Sequence, residues 1–189
     1  MQDIEPYYKW LNDYVTEEDE YSPYFEKEYS QFQYVDTIYN HYIHPQWDGI
    51  ESESLFVKIL YADYEEGYAF IELIGEWNDT LHNDIALLKD NLLDILIQNG
   101  VNKLILIGNN VLTFHYAEED YYEELIDNLE GGYIVGLNFA EHVQIELKEF
   151  GMDRYIIFNE EIDFINWRKL KPQLLFKEID RILNWNLLN

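Results

Sequence analysis

The sequence predicts a three-layer α/β sandwich on a mixed, mostly parallel sheet, and three observations carry that expectation. Two strand-like runs, LFVKILYADY and GYAFIELIG, meet at Glu65-Glu66-Gly67, a short turn with a glycine available for positive φ, which reads as a β-hairpin. Two later runs, KLILIG and YIVGL, are apolar on both faces, as strands covered by helices are, and RYIIF reads as the last strand. Between and after them lie amphipathic segments of helical period, so the hairpin is followed by α-β-α-β-α-β-α. That alternation implies right-handed crossovers between parallel strands, with helices on both faces of the sheet. With 189 residues, 48% apolar content and 32 aromatic side chains, the chain can bury one sizeable core but falls short of two full domains.

The elements follow in order. Residues 1–54 hold 13 acidic side chains against 2 lysines, and 13 of the aromatics. Disordered tails are poor in aromatics, so this acidic, tyrosine-rich extension is expected to pack on the domain formed by residues 55–189. Within it, Ser22-Pro23 is a good helix start, and Phe25, Tyr29, Phe32, Tyr39 and Tyr42 recur at roughly helical spacing up to His44-Pro45. A helix over 23–43 is the expectation, and extended structure for QFQYVDTIY is the alternative, because that stretch is rich in β-formers. After the hairpin, Leu81, Ile85, Leu88, Leu92 and Ile95 share one helical face, with Asp79 or Thr80 as cap and Asn99-Gly100 as stop. KLILIG is expected to end at Gly108-Asn109-Asn110, leaving Val111, Leu112 and Phe114 in an apolar loop that packs beneath the acidic helix AEEDYYEELIDN or forms an interaction patch there. Asn138 and Glu141 stand in capping-box positions before a helix with Val143, Leu147 and Phe150 inward and Gly151 as stop. RYIIF, a short helix from EEIDFINW and a terminal helix opened by Pro172, with Leu175, Ile179 and Ile182 inward, complete the chain.

This order and size, a hairpin followed by α-β-α-β-α-β-α over residues 55–187, resembles the small α/β domains of the anti-sigma-factor-antagonist type, called STAS-like. The chain also resembles bacterial proteins without an assigned function, from which no role carries over. The resemblance implies a regulatory protein-interaction module. In such regulators a serine or threonine at the start of the helix after the third strand is phosphorylated to switch partner binding. Here that region reads GNNVLTFHYAEEDYYEEL, with no serine and only Thr113, so the switch does not carry over.

The formal charge of −26, from 38 acidic against 12 basic side chains, repels phosphate backbones, so neither nucleic acid nor an anionic membrane is an expected partner. The chain has no cysteine, hence no disulfide, thiolate metal site or thiol nucleophile. Its N-terminus lacks a basic segment leading into an apolar stretch, and no run of about 18 apolar residues occurs, so the expected location is cytoplasmic. The four serines and threonines from Ser52 onward stand on no G-x-S-x-G elbow, and Gly108-Asn109-Asn110 has neither the glycines nor the lysine of a phosphate-binding loop. The only basic cluster, Arg168, Lys169 and Lys171, is expected to pair with the chain's own carboxylates.

In open α/β sheets ligands bind beyond the carboxyl ends of parallel strands. That rule nominates Glu76, Asn78, His82, Asn109, Asn110, His115, Asn138 and His142 as ligand-binding candidates, with N-capping and solvated surface placement as the alternative role for each. No cofactor and no metal are expected, since no pair of histidines has metal-ligand spacing on one helix face. Two functions stay open: a non-enzymatic module acting on a protein partner or a second copy of itself through the acidic, aromatic extension and residues 117–130, or a small-molecule or metal-binding protein or enzyme with its crevice at the strand ends.

Overall fold

The structure, a computed structural model, describes residues 4–30, 37–38 and 41–187. The extension carries a small hairpin, β1 (Thr37–Ile38) with β2 (His41–Tyr42), and then β3 (Asp48–Gly49) joins the main sheet. The main sheet continues with β4 (Leu55–Asp63) and β5 (Tyr68–Asn78). Helices α1 (Asp79–His82), α2 (Asp84–Leu88) and α3 (Asp94–Gln98) lead to β6 (Lys103–His115); then come α4 (Asp120–Asn128), β7 (Tyr133–Leu137), α5 (Glu141–Glu149), β8 (Ile156–Phe158), α6 (Glu160–Asp163) and α7 (Pro172–Leu187). The six strands lie in sequential order, β3-β4-β5-β6-β7-β8. The β3–β4 and β4–β5 pairs are antiparallel, while β5–β6, β6–β7 and β7–β8 are parallel. The α/β class and the mixed, mostly parallel sheet are therefore as the sequence predicts.

Sequential order has a geometric consequence: crossovers of one hand that always step the same way place their helices on one face. Accordingly Ile85, Leu88, Leu92 and Leu96, Tyr122 and Leu125, and Val143 and Leu147 share a single core with Val57, Ile71, Leu73, Leu104 and Ile134 of the sheet. The opposite face, with Tyr68, Phe70, Ile105, Ile107 and Val135, is covered by Leu175, Phe176 and Ile179 of α7, by Ile162 and Trp167, and by Trp10 from the extension.

Several local expectations are corrected. Residues 23–26 form turns, 27–30 take no regular structure, and Thr37–Ile38 and His41–Tyr42 are extended, so the described part of 23–43 is not a helix; residues 31–36 and 39–40 lie outside the described residues. Glu26 adopts φ 58° and its N–H bonds Glu17 O, which closes a loop instead of continuing a helical turn. Tertiary bonds, including Lys27 to Asp48 at 2.7 Å, outweigh the local propensity. The helix after β5 is broken at Asn83, which takes φ 53°, and its cap is Asn78, which accepts from Leu81 N–H, and not Asp79 or Thr80. Leu81 is consequently 75% exposed. A π-helical turn over Lys89–Leu93 inserts an extra residue and advances the apolar face, so Leu93 and Leu96 are buried where a regular period would bury Ile95.

Beyond Ile107, β6 does not turn. It runs on to His115, paired with the equally long β5 through Asn78↔His115, while its pairing with β7 stops at Ile107↔Leu137. Gly108 serves packing instead: a Cβ there would stand 2.4 Å from the Phe139 ring. Asn138 has φ 53° and bonds Asp163 through both its backbone and side chain, so there is no capping box; Ala140 is the N-cap of α5. Phe150 is 47% exposed and not inward.

Candidate functional site

Two places concentrate polar chemistry. The first is the carboxyl end of the parallel strands. Asp84, fully buried, accepts from Ser52 Oγ at 2.5 Å, Ser54 Oγ at 3.1 Å and Asn78 N–H at 2.7 Å. Asp79 accepts from Trp77 Nε1, from Ile85 N–H and from the Tyr122 hydroxyl at 2.7 Å. Burial pushes the Asp79 carboxyl up to about 6, against those three donors, and the same burial beside Asp79 raises the Tyr122 phenol well above its ordinary range. Each of these carboxylates takes three donors from inside the fold, and together they tie β5, α1, α2 and α4 to one another.

The sequence-nominated residues sit around this end in different environments. Asn78 is buried as a helix cap, and Glu76, His82, Asn110 and Asn138 are half-buried. Asn109, His115 and His142 are exposed. Register brings His115 beside Asn78, and Glu76 beside Thr113. His142 Nε2 bonds Leu112 O at 2.8 Å, and Glu146 accepts Phe114 N–H at 2.8 Å, so α5 satisfies the β6 edge where β7 has ended. Among the described residues no three His, Asp or Glu side chains group as a metal ion would require. Around them the surface is apolar: Leu112 is 43% exposed, Tyr116 stacks on Phe150 at 5.2 Å, and Thr80 Oγ1 bonds Tyr116 O, bringing the turn that bears Leu81 to the same end. Three cavities of roughly 460–530 Å³ lie instead near the amino ends of the parallel strands, one of them between α3 and α4 with Asp94, Asn102 and Asp127 in its wall.

The second place is a chain of ionisable groups running from β3 across β4 to β5 and contacted by the extension. Asp48 of β3, Lys58 of β4 and Glu72 of β5 are 0%, 6% and 1% exposed, and Lys58 and Glu72 are register partners. Lys27 and the Tyr29 hydroxyl each reach Asp48 Oδ1 at 2.7 Å, and Lys58 Nζ lies 3.2 Å from Asp48 Oδ2 and 3.9 Å over the Tyr29 ring. Burial lowers the Lys58 amine from its usual range, with Asp48 opposing. Glu72 accepts Tyr7 N–H at 2.8 Å and faces the Arg168 guanidinium at 4.0 Å, yet burial still pushes its carboxyl up to about 7. Around it Tyr7, Trp10, Trp167 and Phe70 meet edge to face, with Trp10 Nε1 donating to Leu170 O and Tyr7 OH to Arg168 O. Trp167 Nε1 is buried without an acceptor, a cost of about 1–3 kcal/mol to the closed arrangement.

Sequence reasoning from strand ends passed over this row. The signal was present: a lysine inside LFVKILY and a glutamate inside AFIELIG interrupt runs otherwise apolar on both faces.

No protein-family model matches the sequence, and no curated protein matches it. Solved structures do. The anti-sigma factor antagonist SpoIIAA in its unphosphorylated form aligns with a TM-score of 0.43 and 16% identity over 60% of this chain and 97% of that one. A Thermotoga maritima protein named as a candidate anti-sigma factor antagonist aligns at TM-score 0.39 and 18% identity, covering 55% of this chain and 84% of that one. The phosphorylated form of the Bacillus cell fate determinant SpoIIAA gives 0.39 and 15% over 67% and 98%.

Proposed function

We propose that the chain is a non-enzymatic, cytosolic module that binds another protein through the apolar surface at the carboxyl end of its sheet. The observation that supports this reading most directly is the exposure of Leu81 and Phe150, at 75% and 47%, joined through Tyr116, which stacks on Phe150 and accepts the Thr80 hydroxyl, while the polar groups beneath them are bound to one another. Exposed large apolar side chains gathered at one place mark interaction surfaces. Glu118, Glu119 and Asp120 follow Tyr116 closely in the chain at the start of α4, and the whole chain carries −26. A partner with an apolar centre and a basic rim fits it, and the charge would hasten encounter more than it would tighten the complex. The chain's own carboxylates take part of the basic cluster: Lys171 pairs with Asp13 at 3.0 Å.

The test is quantitative affinity capture from cells that express the chain, followed by direct titration of the recovered partner. A Leu81→Ser/Phe150→Ser double variant should lose that partner, whereas Phe164→Ser, which removes an equally bare side chain (86% exposed) elsewhere, should keep it. Equal binding by all three proteins would overturn the assignment of the surface. A thermal-shift screen against metabolites and divalent metals tests the other function: a rise in Tm abolished by His115→Ala would favour a ligand site formed by the strand-end residues.

A further inference from the structure

The first described segment of the extension reaches across the sheet to a part of the chain about 160 residues away. Tyr7 bonds Glu72 and Arg168, Trp10 bonds Leu170, and Asp13 pairs with Lys171. Its one contact with a buried carboxylate is the Tyr7 N–H on Glu72 Oε2. We propose that residues 4–14 form a latch on the second face of the sheet, and that the proton on Glu72 governs whether it stays closed.

The geometry gives the latch both its hold and its weakness. Trp10, 3% exposed, is its apolar anchor, packed on Phe70 at 5.3 Å and Trp167 at 5.6 Å. Closing it removes Glu72 from water in the middle of a strand and leaves Trp167 Nε1 buried without an acceptor. Compensation for an ionised Glu72 is thin. From the extension comes the Tyr7 amide; from the turn after α6 comes Arg168, at 4.0 Å and shared with the Trp167 ring; from β4 comes Lys58, whose amine is turned to Asp48. The register neighbour on β6, Ile107, offers nothing polar. A protonated Glu72 needs none of these charges, and its carbonyl oxygen still accepts the Tyr7 N–H.

The direction of the pH effect follows. With the latch closed Glu72 holds its proton to about 7, against an ordinary 4.5, so closure is firmest below the lower value and is lost progressively as pH rises through the higher one. Opening would bare Tyr7, Trp10 and Trp167, a second aromatic surface distinct from that at the strand ends.

Hydrogen exchange of the full chain, corrected for the intrinsic pH dependence, reads this out. Amides of residues 7–14 should lose protection by on the order of a hundredfold between pH 5 and pH 8, while amides of β6 and β7 keep theirs. Glu72→Gln should hold the low-pH protection at both values. Uniform protection of the segment across this range, or a Glu72→Gln variant that still loosens with rising pH, would overturn the proposal. Should Glu72→Gln fail to fold, Arg168→Met provides the second arm: removing the nearby cation should move the transition to higher pH, and an unmoved midpoint would count against Glu72 as the titrating group.

Discussion

At the scale of single residues, the buried carboxylates carry more of the architecture than their number suggests. Asp84 gathers two hydroxyls from the stretch before β4 and a backbone amide from the end of β5, so Asp84→Ala strands three buried donors and should cost about 3 kcal/mol or more in urea denaturation. Gly108 makes a different demand. Gly108→Ala drives a methyl group into the Phe139 ring and should cost about 1–3 kcal/mol, and a Phe139→Leu partner substitution should return part of the loss in a double-mutant cycle. The sequence shows the glycine but not the ring: Phe139 lies 31 positions on and reaches Gly108 only once β7 has paired with β6. Lys58 and Glu72 were legible as interruptions of apolar strands, whereas the covering extension that gives them meaning was not, because its turns follow no period.

At the scale of elements, long periodic segments read well and their ends read badly. All five long runs named as strands are strands, and the terminal helix begins at Pro172 as its sequence signals. The errors fall where a partner elsewhere decides the outcome. The sequence of KLILIG signals a stop at a glycine and two asparagines, yet β5 is eleven residues long, and β6 pairs with it to the end. The exposed edge this creates is satisfied by side chains of α5, which yields a prediction. Glu146→Ala should raise the exchange rate of the Phe114 amide by about tenfold and cost about 1–2 kcal/mol, with no effect on the first half of the same strand. The π-helical turn at Lys89–Leu93 is another such case, since apolar residues at 88, 92, 93 and 96 fit a regular helix only loosely and fit this one fully.

At the scale of the whole molecule, charge and protonation act together. Among the described residues no helix is long and apolar enough to cross a membrane, and the chain carries −26 overall. Asp79 and Glu72 hold their protons in the fold to about 6 and about 7, above the ordinary 3.8 and 4.5, so their stabilising contribution is complete below those ordinary values and disappears as pH rises through the shifted ones. Self-repulsion among the other carboxylates runs the same way. Calorimetry should therefore find a higher Tm at pH 5.5 than at pH 8. The Asp79→Asn/Glu72→Gln protein should show a flatter profile, and added salt should raise Tm most at the higher pH.

The unbroken march of strands from one edge of the sheet to the other also bears on how the chain is made. Every crossover helix falls on one side, so the second side stays bare in a growing chain until residues 172–187 have been synthesised, and Trp10 must wait for Trp167 and Leu170 before it has anywhere to settle. Closure of that layer is then a late event joining the earliest and latest parts of the described chain, of the kind that slows folding and leaves grease open to chaperones in the interval.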